Sequence, residues 1–401
     1  MQAGIGSAAR TSSSRRIRTL GVIAAGASRA ASPRVNWHLV DHDLSESGVT
    51  PLTIRELLGP DADAEFFLQQ ALGYPLSEGS YETRANIAQW YPECAPENVT
   101  LMNGGSEANL LSLWSLLGPR DRLAFMLPNY CQGLGLGPFF GDGVDTFKLK
   151  LRGGRWSLDV EGLDRAVGKR TSVIMVCNPN NPTGAVLTEG EMQAVIDVAA
   201  RAGAWIVADE IYRGAELETD VASPTFWGRY DKVVVTSGLS KAFAMPGLRV
   251  GWAVAPEDTI AKIWARHDYT TLTPGIVGDR LAGVTMRPDV RETVLARTRS
   301  IVRANVPRLE AWVEAHPYFR YVRPVAGAIA YVGYDLPVRS SALVERIRTE
   351  QSVLLVPGAM FGLKKGIRFG FGYDIEYTMK GLARVDDTLA DVASSTAAHE
   401  A

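Results

Sequence analysis

Between residues 99 and 254 the chain repeats one pattern: short apolar runs separated by longer stretches whose apolar positions recur at helical spacing. The runs 99–102, 123–127, 172–177, 204–208, 233–236 and 250–254 are rich in β-branched residues and mostly lack polar alternation. Such runs are the mark of strands covered on both faces, as in a mainly parallel sheet. Thr188 and Glu191 have the spacing of a capping box, which predicts a helix from Thr188 that ends before Gly203. Strands alternating with helices predict an α/β sandwich with helices on both faces.

After Pro288 the pattern changes. A charged amphipathic stretch covers 290–315, with Pro307 expected to bend or break it. Strand-like 319–322 and 328–334, a helix near 341–351, strand-like 353–356 and 367–371, and a last helix over about 375–393 follow. These predict a smaller α+β unit. The expected organisation is a basic extension over 1–34, an arm over 35–60 that completes the small domain, a large domain over 61–287 and a small domain over 288–401.

Composition narrows the function. The chain has 401 residues, 46% hydrophobic and 21% charged, which excludes a largely disordered or fibrous protein. The formal net charge of -2 gives no global basic surface for nucleic acid. No apolar run approaches the roughly 18–20 residues that cross a bilayer, so no membrane association is expected. Cys94, Cys131 and Cys177 lie far apart and are odd in number, which favours a reducing, cytoplasmic setting over a disulfide framework. His38 and His42 are four apart but have no third ligand, so no metal site is expected. In 1–34 several arginines meet no acidic residue. A transit peptide, a nucleic-acid arm and a plain disordered extension all suit that composition, and the last is preferred.

Four segments carry candidate chemistry. Lys241, in Ser237-Gly238-Leu239-Ser240-Lys241, stands among small and apolar residues after a strand. Poor solvation there would lower its pKa and suit a nucleophile or Schiff base; alone, it is equally an exposed lysine after a buried strand. Ser240 and Arg249 could bind a phosphate. Asn178-Pro179-Asn180-Asn181-Pro182-Thr183-Gly184 is a rigid turn at a strand end, where α/β sheets bind ligands, or simply a tight turn. Asp209 ends another run, three residues before Tyr212; it could hold a cationic ring nitrogen or merely start a helix. Asn103-Gly104-Gly105-Ser106-Glu107 precedes a helix, whose free N–H groups could cradle a phosphate.

In combination, the Asn-Pro-x-Asn-Pro-Thr-Gly, Ala-Asp-Glu-x-Tyr and Ser-Lys-x(7)-Arg elements resemble the pyridoxal 5'-phosphate (PLP) enzymes of fold type I. More narrowly they resemble the class I/II aminotransferases related to aspartate aminotransferase, from about Ser45 to Ala393. The resemblance implies a large α/β/α sandwich with a smaller α+β domain, PLP as cofactor, a small amino-acid substrate, and a homodimer with shared active sites. It implies that Lys241 forms the Schiff base and shuttles a proton, that Asp209 pairs with the pyridine nitrogen, and that Asn181 and Tyr212 bond the phenolic oxygen. Tyr130 matches the stacking aromatic. Gly105, Ser106, Glu107, Ser240 and Arg249 fall in the phosphate-binding segments. Tyr74 matches a tyrosine that reaches the neighbouring subunit's phosphate. Arg368 matches the arginine that grips the substrate α-carboxylate, and Gly48 a glycine that closes over the substrate.

The sequence also departs from that pattern. A hydroxyl residue is common three positions before the lysine; Gly238 stands there, with Ser237 one step earlier. The stretch 326–331 lacks a bulky aromatic soon after the glycine. Ser47-Gly48-Val49-x-Pro51 and Asp268-Tyr269-x-Thr271-Leu272 resemble stretches of capreomycidine synthase-type cyclases. Glu46, Ser47, His267, Asp268, Tyr269 and Thr271 are therefore candidates for side-chain recognition; Glu46 or Asp268 would suit a basic substrate. The leading expectation is an aminotransferase of amino-acid or secondary metabolism. The alternatives are an elimination, cyclisation or γ-substitution enzyme, using an arginine derivative or S-adenosylmethionine, and, well behind them, a non-catalytic regulatory protein of the same fold.

Overall fold

The computed structural model describes residues 38–59 and 65–400. The basic 1–34 segment lies outside the described residues. A short strand, β1 (His42–Asp43), opens the described chain. The large sheet contains β2 (Val99–Met102), β3 (Arg122–Leu127), β4 (Val144–Arg152), β5 (Arg155–Leu158), β6 (Thr171–Cys177), β7 (Trp205–Asp209), β8 (Val233–Gly238) and β9 (Gly251–Val254). Its strand order is β2-β9-β8-β7-β6-β3-β4-β5. The run from β8 to β4 is parallel, while β9 and β5 are antiparallel to their neighbours.

Both faces of the sheet's central strands are buried. Ile174, Val176, Ile206, Ala208, Val233 and Val235 enter one core with the helix Glu189–Ala202. Val173, Met175, Val207 and Val234 enter another with the helices Gly105–Leu116 and Glu257–His267. Two-sided burial explains the unbroken apolar runs, and each buried Val, Leu or Ile contributes about 1.5–3 kcal/mol. The Thr188–Glu191 capping box forms as expected, and Gly203 ends that helix in the left-handed conformation. The β4–β5 hairpin has no counterpart among the sequence expectations. Its Lys-Leu-Lys-Leu-Arg alternation marks a half-exposed edge, and Gly153 and Gly154, both at positive φ, turn it.

The smaller unit holds β10 (Phe319–Tyr321), β11 (Ile329–Tyr334), β12 (Val353–Leu354), β13 (Val356–Pro357) and β14 (Ile367–Gly370). The last strands form an antiparallel sheet in the order β10-β11-β14-β13, and β12 pairs with β1. The helix Pro288–Glu314 runs unbroken through Pro307. Val302, Val306, Leu309 and Trp312 on either side of the proline are buried in the second core, and that packing offsets the missing backbone bond. Val294 and Leu295, nearer its start, belong to the first core, so this helix joins the two units. The segment before the large sheet does the same: Leu44 and Val49 are buried in the small unit and Leu57 in the large one.

Candidate active site

Lys241, Asp209, Asn181 and the 103–107 turn lie at one end of the large sheet. Strands β2, β3, β6, β7 and β8 end there, and the antiparallel β9 begins there. Register places Cys177 beside Asp209, Asp209 beside Thr236, and Gly238 beside Gly251, which in turn faces Met102. The segments following these strand ends are the four singled out by sequence.

Asp209 is held from two sides. Asn109 Nδ2 donates to its Oδ2 at 2.9 Å, and the Ile211 N–H to its Oδ1 at 3.2 Å. Thr236 Oγ1 donates to Asn109 Oδ1 at 2.6 Å, which fixes which way the amide faces. Burial pushes the Asp209 carboxyl up, and these two donors oppose that shift. The sequence does not single out Asn109 or Thr236; its one signal is an asparagine just before the apolar stretch of a helix. Behind Asp209, the fully buried Glu210 is pushed up to about 7 by burial.

Lys241 follows β8, its side chain 22% exposed and its Nζ 3.5 Å from Glu46 Oε2. Burial lowers its pKa; Glu46 opposes the shift, while Arg368 and Arg249 add to it. Burial pulls the Glu46 carboxyl up, but Lys241, the Ser47 N–H and Arg368 outweigh it, so Glu46 stays anionic. Glu46 reaches this place because residues 44–50 cross the end of β14. Gly370 N donates to Leu44 O at 2.8 Å, Arg368 donates to Ser45 O, and Val49 bridges Gly372. Gly48 lies against Lys241: a Cβ there would stand 3.3 Å from Ser240 O.

Arg368 lies in β14 opposite Tyr331, buried, with its guanidinium 5.5 Å from the centre of the Phe361 ring. Its Nε is buried without a hydrogen-bond partner, as is the amide oxygen of Asn181. Asn180 Nδ2 donates to Pro128 O at 3.0 Å and so ties the 178–184 turn to the segment bearing Tyr130, which is half-buried. Tyr212 is buried against Gly327, whose φ is +88° and whose Cβ would stand 3.2 Å from the ring. Burial pushes the Tyr212 phenol up, against Arg368 and the Ser47 hydroxyl.

The glycines of the 103–106 turn let Gly251 and Arg249 approach its backbone closely. A side chain at Gly251 would overlap the Gly104–Gly105 backbone, and one at Gly104 would overlap the Arg249 guanidinium. Arg249 donates to Pro246 O at 2.8 Å and to Ser240 Oγ at 3.4 Å. Position 238 admits no hydroxyl residue, since a Cβ would stand 2.6 Å from Val250 O; the Ser237 hydroxyl points instead to Glu210 O at 3.4 Å. The Glu107 carboxylate is turned away from the turn's ligand side, to Asn103 N, Thr270 and Thr271. His267 and Thr271 are likewise turned inward to Glu107. Asp268 and Tyr269 are exposed, Asp268 at the cap of the helix Glu257–His267. Tyr74 is 83% exposed, away from this chain's core.

A family model for aminotransferase class I and II matches residues 65–385. The chain belongs to the class I and II aminotransferases. It is 28% identical to capreomycidine synthase of Streptomyces vinaceus over 354 residues, covering 86% of this chain and 89% of that protein. It is 28% identical to an aspartate aminotransferase of Thermotoga maritima over 342 residues, covering 82% and 86%. Among solved structures, a PLP-dependent aminotransferase from Streptococcus suis superposes with a TM-score of 0.84 at 29% identity, over 90% of this chain and 97% of that one. The PLP-dependent cyclase OrfR gives 0.76 at 27% identity, over 87% and 93%.

The family's cofactor is PLP, and the residues fit it. The buried Arg368 Nε, a donor without a partner, suits an acceptor brought by a ligand. The glycine cradle beside Arg249 suits a phosphate, and the doubly held Asp209 suits a protonated ring nitrogen.

Proposed function

We propose that this protein acts at the Cα of an α-amino acid and that its reaction is amino-group transfer. The observation that carries this reading is that Asp209 and Lys241 lie at the same end of the large sheet, while Arg368, on the small sheet, is near enough to act on the charges of Lys241 and its neighbour Glu46. When bound, PLP supplies the electron sink that stabilises negative charge at Cα. Asp209, held as an acceptor by Asn109 and Ile211, keeps the pyridine nitrogen protonated. Arg368 grips the substrate α-carboxylate, and Lys241 Nζ, poorly solvated and low in pKa, moves the proton at Cα. Asn181 and Tyr212 orient the ring's oxygen, and Tyr130 stacks on the ring. Gly105, Ser106, Ser240 and Arg249 hold the phosphate, and Gly48 covers Lys241.

A homodimer with shared sites accords with the exposure of Tyr74 together with Leu68, Leu72 and Leu76. Free Cys94, Cys131 and Cys177 accord with a reducing, cytoplasmic compartment. One observation favours a second reading, cyclisation or elimination on a substrate with a cationic side chain: the anionic Glu46 beside Lys241. The similarity to capreomycidine synthase and OrfR points the same way.

Borohydride reduction of the PLP-loaded protein, followed by peptide mass mapping, tests the assignment of Lys241. The expected product carries the cofactor's mass on Lys241; label on another lysine, or none, would overturn the reading.

A further inference from the structure

We propose that Glu107 is a positioning residue, whose single buried carboxylate joins the 103–106 turn to the 267–273 loop, and that phosphate affinity depends on this joint. The proposal rests on the PLP reading of the site. Glu107 sits in the first turn of the helix Gly105–Leu116. A carboxylate there favours the helix but would repel a phosphate bound at the same end. Here both of its oxygens are turned to protein donors. Oε2 accepts from Asn103 N at 2.7 Å, and Oε1 from Thr270 Oγ1 at 2.6 Å. Thr271 Oγ1 lies 2.9 and 3.0 Å from the two oxygens, and the residue is only 9% exposed.

Thr271 completes the joint. Its oxygen accepts from Asn103 Nδ2 at 2.8 Å, and it lies 2.9 Å from His267 Nε2. Asn103 Nδ2 also donates to Thr273 O at 2.9 Å. The loop is thus pinned at 270, 271 and 273, and between these pins Leu272 is held at a φ of 69°, a conformation a side chain adopts only under constraint. The carboxylate takes the Asn103 N–H, which lies outside the helix, and so the Gly105 and Ser106 N–H groups need not serve it. Without the carboxylate, Asn103 N and the Thr271 hydroxyl lose their acceptor, Thr270 keeps only His267 O at 3.2 Å, and the turn and loop are joined by the Asn103 side chain alone.

The test is the affinity of the full-length apo-protein for PLP, measured by titration, with inorganic phosphate as a competing probe. Glu107→Gln should raise the PLP Kd about 10-fold, since buried donors lose their anionic acceptor. Thr271→Val should raise it similarly, Thr271→Ser should restore it, and the double variant Glu107→Gln/Thr271→Val should be no worse than the weaker-binding single variant. Additive losses in the double variant, or failure of Thr271→Ser to rescue, would show two separate structural roles and overturn the joint. Should Glu107→Gln not fold, Thr270→Val with Thr271→Val makes the same comparison. Tight binding by the wild type with unchanged Kd in the variants overturns the joint alone; no PLP binding by the wild type overturns the cofactor reading as well.

Discussion

Replacing Glu46 by glutamine keeps the side chain's shape and removes a charge 3.5 Å from Lys241 Nζ. At that distance two unit charges attract by about 1.2 kcal/mol with the dielectric constant of water, and by about 4.7 kcal/mol at an effective value of 20. The Glu46 side chain is 35% exposed and that of Lys241 22%. Both side chains are partly buried, so the water value is a lower bound, and about 1.2 kcal/mol corresponds to roughly 0.9 pKa units as the least expected shift. The sign follows from which form the carboxylate favours. Glu46 stabilises the ammonium, so its loss lowers a lysine pKa that burial already holds below the usual value. Only the neutral amine attacks an aldehyde. The rate at which apo-protein takes up PLP, followed by absorbance across a pH series, should rise with pH and level off. The midpoint for Glu46→Gln should lie at least roughly one unit below that of the wild type. An unchanged or raised midpoint would refute the coupling.

Other predictions follow from the same geometry. Asp209→Asn should still bind PLP but lower kcat roughly 100-fold or more, because the ring nitrogen loses its anionic partner; a wild-type rate would mean that another group protonates the ring. Arg368→Lys should raise KM for amino acids roughly 10- to 100-fold, with a much smaller effect on an amine that lacks the carboxylate, and equal effects on both would remove Arg368 from substrate binding. Asp268→Ala should change KM for a basic amino acid by less than about 5-fold, since Asp268 is exposed at a helix cap. Glu46→Gln should change it more, and the reverse ranking would move side-chain recognition to the 267–273 loop.

The buried parallel strands were legible because burial on both faces leaves unbroken apolar runs, and all six expected strands of the large sheet form within about two residues of their predicted ends. The β4–β5 hairpin escaped because an edge strand alternates, and its lysines and arginines read as loop. Pro307 misled because a helix held by two cores tolerates a lost backbone bond. At the site, Lys241, Asp209 and Asn181 could be read in sequence because each follows or ends a strand at the same sheet edge. Residues that act through another residue were harder. Asn109 has no motif of its own and matters only because register brings Asp209 within 2.9 Å of it. Glu107, read as part of the phosphate segment, is turned to partners more than 160 residues away in sequence. The sequence marks Glu46 as a candidate for side-chain recognition but not as the neighbour of Lys241, because only the crossing of 44–50 over β14 brings the two together.

The most direct test of the proposed reaction mixes PLP-loaded protein with a panel of amino acids and arginine derivatives in the absence of any keto acid. Cofactor absorbance and product mass are followed together. Amino-group transfer predicts one equivalent of keto acid per active site, with the cofactor left in its amine form and no further turnover. Repeated turnover with the cofactor still an aldehyde would contradict it, and the product mass would then distinguish elimination from ring closure.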